Sequence, residues 1–199
     1  MTTTTAPATL AEALLPRVGA TPWLRHVLLA VAGSLLLTLS AKIQVPFWPV
    51  PMTLQTFAVL VIAMAFGPRL GAATVMLYLA EGAVGLPVFA GTPEKGIGLA
   101  YMLGGTGGYL LGFLLAAALV GMLAERGWDR NVGTTALAML FGNVVIYVPG
   151  LLWLGTLFGW DKPILAWGLT PFLLGDVTKL ALAAAVLPLL WKLAAKRHA

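Results

Sequence analysis

Six charge-free apolar stretches constrain this chain more than any other feature. They cover residues 27–41, 43–68, 70–80, 96–124, 131–160 and 163–191, the last interrupted only by Asp176 and Lys179. A spanning helix needs about 20 mostly apolar residues, so stretches of this length and frequency predict an integral membrane protein. Only 10% of the residues are charged, against about 25% in an ordinary soluble domain. That is too little charge to cover a surface facing water.

Two of the stretches need qualifying. The run 43–68 opens with Gln44-Val-Pro-Phe-Trp-Pro-Val-Pro-Met-Thr53, whose three prolines exclude regular helix. Only 52–66 remains helical there, and 70–83 is also short. The expectation is an all-α membrane protein of six transmembrane helices, roughly 25–42, 52–66, 70–83, 106–124, 133–157 and 170–193. The second and third would be half-length or strongly tilted. Residues 1–20 read as a partly disordered cytoplasmic tail with a short amphipathic helix around Leu10 to Leu15, and 21–199 as the membrane domain. The tail lacks the pattern of a cleaved signal peptide, so the first apolar helix would be an uncleaved anchor.

An even number of spans puts both termini on one side. With the termini inside, eight basic residues (Arg17, Arg25, Arg69, Arg126, Arg130, Lys192, Lys196, Arg197) lie inside and three (Lys42, Lys95, Lys162) outside. The positive-inside rule then predicts cytoplasmic termini. The same rule explains the net charge of +5 without nucleic acid. The halves of the chain share no matching pattern of broken helices, which argues against a self-sufficient transporter built on inverted repeats.

Asp176 and Lys179 are the two charges within the last span. Ionisable groups at membrane depth are costly and mark functional sites by default. At spacing i, i+3 they share one helix face and offer one acceptor and one donor to the same small volume. A self-neutralising pair that locks two helices is the alternative. Cytoplasmic termini would put Asp176 about two turns in from the outer surface, with Lys179 one turn deeper.

Other motifs carry paired readings. Phe47, Trp48 and Met52 make the proline-rich loop either a lid over an apolar ligand or an interfacial anchor. Gly67-Pro-Arg-Leu-Gly71 reads as a tight cytoplasmic turn, and Glu81 as a solvated helix end. The Gly/Pro-rich run ending at Gly91 lets backbone approach a ligand closely. Gly104-Gly-Thr-Gly-Gly108 lacks the Gly-Lys-Ser/Thr of a phosphate loop, so it reads as close helix packing, with Tyr109 able to point into a cavity. Asn143 serves either an interhelical hydrogen bond or the ligand, and Pro149-Gly150 is expected to kink or break its helix. Ala30, Gly33 and Ser34 form a small-residue patch, for a docking subunit or for packing within the bundle.

Enzymatic function finds no support in the residues. The chain has no cysteine, and its two histidines, His26 and His198, sit at a helix start and in the tail. No metal triad or Ser/His/Asp set can be assembled at one depth. An aspartyl intramembrane protease needs two aspartates within the spans, and only Asp176 qualifies. No cofactor is expected.

Five segments together resemble the BioY family, the biotin-specific substrate-binding (S) components of energy-coupling factor transporters. They are Val50-Pro-Met-Thr-Leu-Gln-Thr56, Gly67-Pro-Arg-Leu-Gly71, Gly85-Leu-Pro-Val-Phe-Ala-Gly91, Gly105-Thr-Gly-Gly-Tyr109 and Gly175-Asp-Val-Thr-Lys179, in that family's order. The resemblance implies a six-helix protein of the bacterial inner (plasma) membrane. It implies a biotin pocket near the outer face, closed by the first outer loop, with Asp176 and Lys179 holding the ligand's polar atoms. It also implies contacts from the loop after the third helix, here Gly91 and Thr92. This chain has no Asn in the run Ala90-Gly-Thr-Pro-Glu-Lys-Gly-Ile-Gly98, where the family often has one. Phe47, Trp48, Met52 and Tyr109 would pack the apolar body of biotin. Implied partners are a coupling membrane subunit and two ATPase subunits. An S component or facilitator for another vitamin-like ligand is the alternative.

Overall fold

A computed structural model of the chain describes residues 8–14 and 21–197. Its elements run α1 (Leu10–Leu14), α2 (Pro22–Lys42), β1 (Gln44–Val45), β2 (Met52–Thr53), α3 (Gln55–Ala83), α4 (Gly98–Met102), α5 (Gly107–Glu125), α6 (Val132–Phe158), α7 (Ile164–Gly168), a 3-10 turn (Thr170–Phe172) and α8 (Leu173–Arg197). Among the described residues, five stretches are long and apolar enough to cross a membrane: Pro22–Lys42, Gln55–Ala83, Gly107–Glu125, Val132–Phe158 and Ile164–Lys196.

The 29-residue α3 is not one rod. Gly67 has φ 79° and ψ 176° within it, a conformation that only glycine adopts without strain. Beyond it the chain doubles back. A Cβ added at Gly71 would lie 2.9 Å from the Ala63 Cα. Gln55 Nε2 donates to the Tyr78 hydroxyl at 2.7 Å. A straight helix would separate residues 55 and 78 by about 35 Å. Ala63 and Gly71 are equidistant from Gly67, and Gln55 and Tyr78 nearly so, so α3 is a helical hairpin, with the turn at the Gly67-Pro-Arg-Leu-Gly71 motif.

The hairpin packs against α5, α5 against α6, α2 against α3, and α6 against α8. Small residues set the approach distances. A Cβ at Gly112 of α5 would lie 2.7 Å from Ile146 backbone, and one at Gly108 would lie 2.2 Å from the Pro149 carbonyl. Close backbone contact of this kind is how membrane helices gain packing energy where lipid supplies no hydrophobic drive. The outward faces are apolar: Leu28, Leu35, Leu39, Leu174 and Val177 are all exposed.

Several sequence expectations need correction. Met52 and Thr53 are not helical. They pair with Val45 and Gln44 as a short antiparallel ribbon, because the prolines hold the arm extended, and helix begins only at Gln55. α6 runs through Pro149 and Gly150 unbroken, with Gly150 packed on the Tyr109 ring. Glu81 is not a solvated helix end, since its Oε1 accepts from Ser34 Oγ at 3.0 Å. Gly33 meets Thr74 and Phe66 of α3, so this part of the small-residue patch packs within the bundle. The short N-terminal helix is present as α1. Leu10, Ala11 and Ala13 are buried against α3 and α8. The rest of the expected tail, with Leu15, lies outside the described residues.

Candidate functional site

At the end of the bundle where α3 and α8 begin, side chains from α3, α5, α6 and α8 surround a cavity. Its empty volume, open mouth included, is about 560 Å³. Asp176 stands in the first turn of α8, and Pro171 in the preceding 3-10 turn sets where that helix starts. Asp176 is buried, at 6% exposure.

A buried charge persists only when paired and hydrogen-bonded, and this pair has both. Lys179 Nζ lies 3.2 Å from Asp176 Oδ1 and donates to Thr56 Oγ1 at 2.9 Å. The Thr56 hydroxyl also stands 3.5 Å from Asp176 Oδ1. The Tyr147 hydroxyl donates to Asp176 Oδ2. A carboxylate offers about four acceptor positions and an ammonium three donors. Three contacts on Asp176 and two on Lys179 leave about one acceptor and one donor, and both residues line the cavity.

The remaining wall is mostly aromatic and apolar. Phe89 stacks on Tyr101 with centroids 4.8 Å apart. Tyr109, Phe113, Ile146 and Phe172 complete the lining where it matters for a flat apolar ligand. Tyr109 spends its hydroxyl on the Gly168 carbonyl at 2.8 Å, so it presents its ring rather than a free hydroxyl. Among the described residues, no group of three His, Asp or Glu could hold a metal ion.

Of the residues singled out in the sequence, Asp176, Lys179 and Tyr109 line the cavity. Phe47 stands behind the wall, edge-on to Phe172 at 6.3 Å. Trp48 is 68% exposed and packs edge-on against Phe158 and Trp167, which also contact each other. Met52 would meet a Cβ placed at Gly175. Gly91 has φ 70°, and Thr92 turns its hydroxyl to Phe89 and Lys42. Asn143 is buried, and its Oδ1 has no partner among the described residues; it lies outside the lining. Sequence reasoning missed Tyr147 and Thr56. Tyr147 follows Asn143 by four residues and so shares its helix face, the one signal that pointed to it. Thr56 closes the Val50-Pro-Met-Thr-Leu-Gln-Thr56 motif, but nothing in its neighbours gave it a partner 123 residues away.

Comparison with known proteins agrees over nearly the whole chain. A family model described as the BioY family matches residues 6–196. A probable biotin transporter BioY of Pyrococcus horikoshii is 36% identical over 162 residues, which is 81% of this chain and 93% of that one. The biotin transporter BioY of Thermotoga maritima is 35% identical over 178 residues, 87% of this chain and all of that one (100%). The crystal structure of the S-component for biotin from an ECF-type ABC transporter superposes with a TM-score of 0.71 at 26% identity, covering 87% of this chain and 95% of that one. A match of this extent, in sequence and in fold, means that the chain belongs to the BioY family.

Proposed function

We propose that this chain captures biotin outside the cell and serves its uptake as the S component of an energy-coupling factor transporter. The observation that carries the reading is the charged pair of a BioY-family chain, with one acceptor and one donor left over, at an aromatic cavity. A cyclic urea presents N–H donors beside a carbonyl acceptor. Asp176 accepts from a ureido N–H, and Lys179 donates to the ureido oxygen. The thioether bicycle packs against Phe89, Tyr109, Phe113 and Phe172. Among the described residues, Lys179 is the one cation in the lining, and an unpaired carboxylate must stay hydrated. The valerate carboxylate therefore lies toward the mouth.

Counting the two arms of α3 separately gives six spans, and the basic residues then favour cytoplasmic termini in a bacterial inner membrane. The cavity opens outward in that orientation. The sequence carries no recognisable nucleotide-binding motif, and membership of the BioY family implies a coupling membrane subunit and two ATPase subunits as the source of energy. The test is a titration of the purified protein with biotin. Saturable tight binding, and uptake that depends on the ATPase partners, are expected. A folded protein that does not bind biotin overturns the reading.

A further inference from the structure

Lys42, the last residue of α2, is committed in full without touching the cavity. Its Nζ donates to the Phe89 carbonyl at 2.9 Å, the Thr92 carbonyl at 3.1 Å and Thr92 Oγ1 at 3.0 Å. These three acceptors exhaust an ammonium, so no donor remains for a ligand. All three belong to the loop between α3 and α4, the loop whose Phe89 and Ala90 form part of the cavity wall. Two carbonyls and a hydroxyl converging on one point need a cation or a cluster of donors between them.

The inner side of the same loop is fastened independently. The Tyr78 hydroxyl donates to the Val88 carbonyl at 3.2 Å. The Phe89 ring fills the space left by Gly82, where an added Cβ would come within 2.0 Å of it. On the other side of Lys42, the Ile43 carbonyl accepts from Leu54 N–H at 3.1 Å, which closes the base of the β1–β2 arm. The ammonium therefore sits where the end of α2, the arm and the wall loop meet.

We infer that Lys42 is a positioning residue for the pocket: it pins the 89–92 loop to α2, and so keeps Phe89 and Ala90 in place as the wall that retains a bound ligand. The inference rests on the biotin reading for its ligand, but not for its geometry. A wall that opens more often lets ligand escape, while encounter with the open mouth changes little.

The test is Lys42→Met, measured by biotin binding kinetics and by amide exchange across 89–96. Dissociation about tenfold faster is expected, as for loss of hydrogen bonds to a charged group, with association within about twofold. The amides of Thr92, Lys95 and Gly96 should exchange faster, while those of α5 and α6 are unchanged. Lys42→Arg, which keeps a charged donor, should restore most of the wild-type dissociation rate. Wild-type dissociation in Lys42→Met overturns the proposal. If that variant does not fold, Thr92→Val removes one acceptor from the other side. Faster dissociation supports the latch, and an unchanged rate overturns it. If the wild type does not bind biotin, the functional reading fails on its own account, and exchange at 89–96 still decides whether Lys42 holds the loop.

Discussion

Two buried aspartates sit near opposite ends of α8, and only one of them faces a cavity. Asp176 accepts from a Tyr147 hydroxyl, pairs with Lys179 and lines the pocket. Asp129, in the α5–α6 connection, accepts from Trp191 Nε1 at 2.5 Å, and the Arg130 guanidinium lies 4.3 Å from the centre of that indole. Asp129 is fully buried, and its Oδ1 has no partner among the described residues. Burial of a carboxylate is thus common to both ends. What distinguishes the site is hydrogen-bonding capacity left over at an open volume. At the Asp129 end the aromatic donor and the cation close a structural joint instead.

The largest test of that distinction is Asp176→Asn. The amide keeps the shape but removes the charge, leaving Lys179 buried without its counter-ion. Truncating one member of a buried pair costs about 2–5 kcal/mol, so biotin affinity should fall by about 100-fold in an equilibrium titration of folded protein. Affinity within a few-fold of wild type would remove Asp176 from the site. Asp129→Asn in the same assay should bind biotin as the wild type does; a comparable loss would erase the contrast between the two ends.

Tyr147→Phe comes next. It removes a single hydroxyl that aims the carboxylate and leaves the ring on the pocket wall. One hydrogen bond to a charged group contributes about 1.5–3 kcal/mol, and part of that is recovered by repacking or water. A loss of about tenfold in biotin affinity is expected, with the thermal unfolding midpoint little changed. No loss would mean that Lys179 and Thr56 alone orient Asp176.

The same contrast separates what the sequence could reveal from what it could not. The charged pair was legible because two ionisable groups in an apolar run have few explanations. The hairpin at Gly67 was legible because Gly-Pro between two short apolar runs breaks a helix. The partners were not. Thr56 and Tyr147 are ordinary residues in ordinary helical positions, and only tertiary packing brings them to Asp176 from 120 and 29 residues away. Lys42 read as a topology marker because a lysine at a helix end has that reading by default. At Pro149 the sequence predicts a kink or a break; the helix is not broken there, as membrane helices often continue when neighbours satisfy the freed carbonyl. Asp129 gave no signal at all, since a charged residue between Trp128 and Arg130 in a connection reads as solvated.

The smallest expected effect concerns Asp129, whose burial sets its sign. Burial raises the Asp129 carboxyl above its usual range, and the Trp191 donor and Arg130 offset this only in part. The folded state therefore holds its proton to higher pH than the unfolded state does. Between the two pKa values the folded form binds more protons, so stability falls as pH rises. The window opens at the ordinary aspartate value of about 4 and extends upward. Below it both states are neutral there, and Asp129 costs nothing by ionising. Asp129→Asn mimics the neutral form at every pH. Thermal unfolding of the two proteins in the same detergent should coincide most closely near the acidic end. The variant should gain on the wild type toward neutral pH, by about 1.4 kcal/mol for each unit of pKa shift. A gap that stays constant across the range would mean that Asp129 keeps its charge in the fold, stabilised by Trp191 and Arg130 after all.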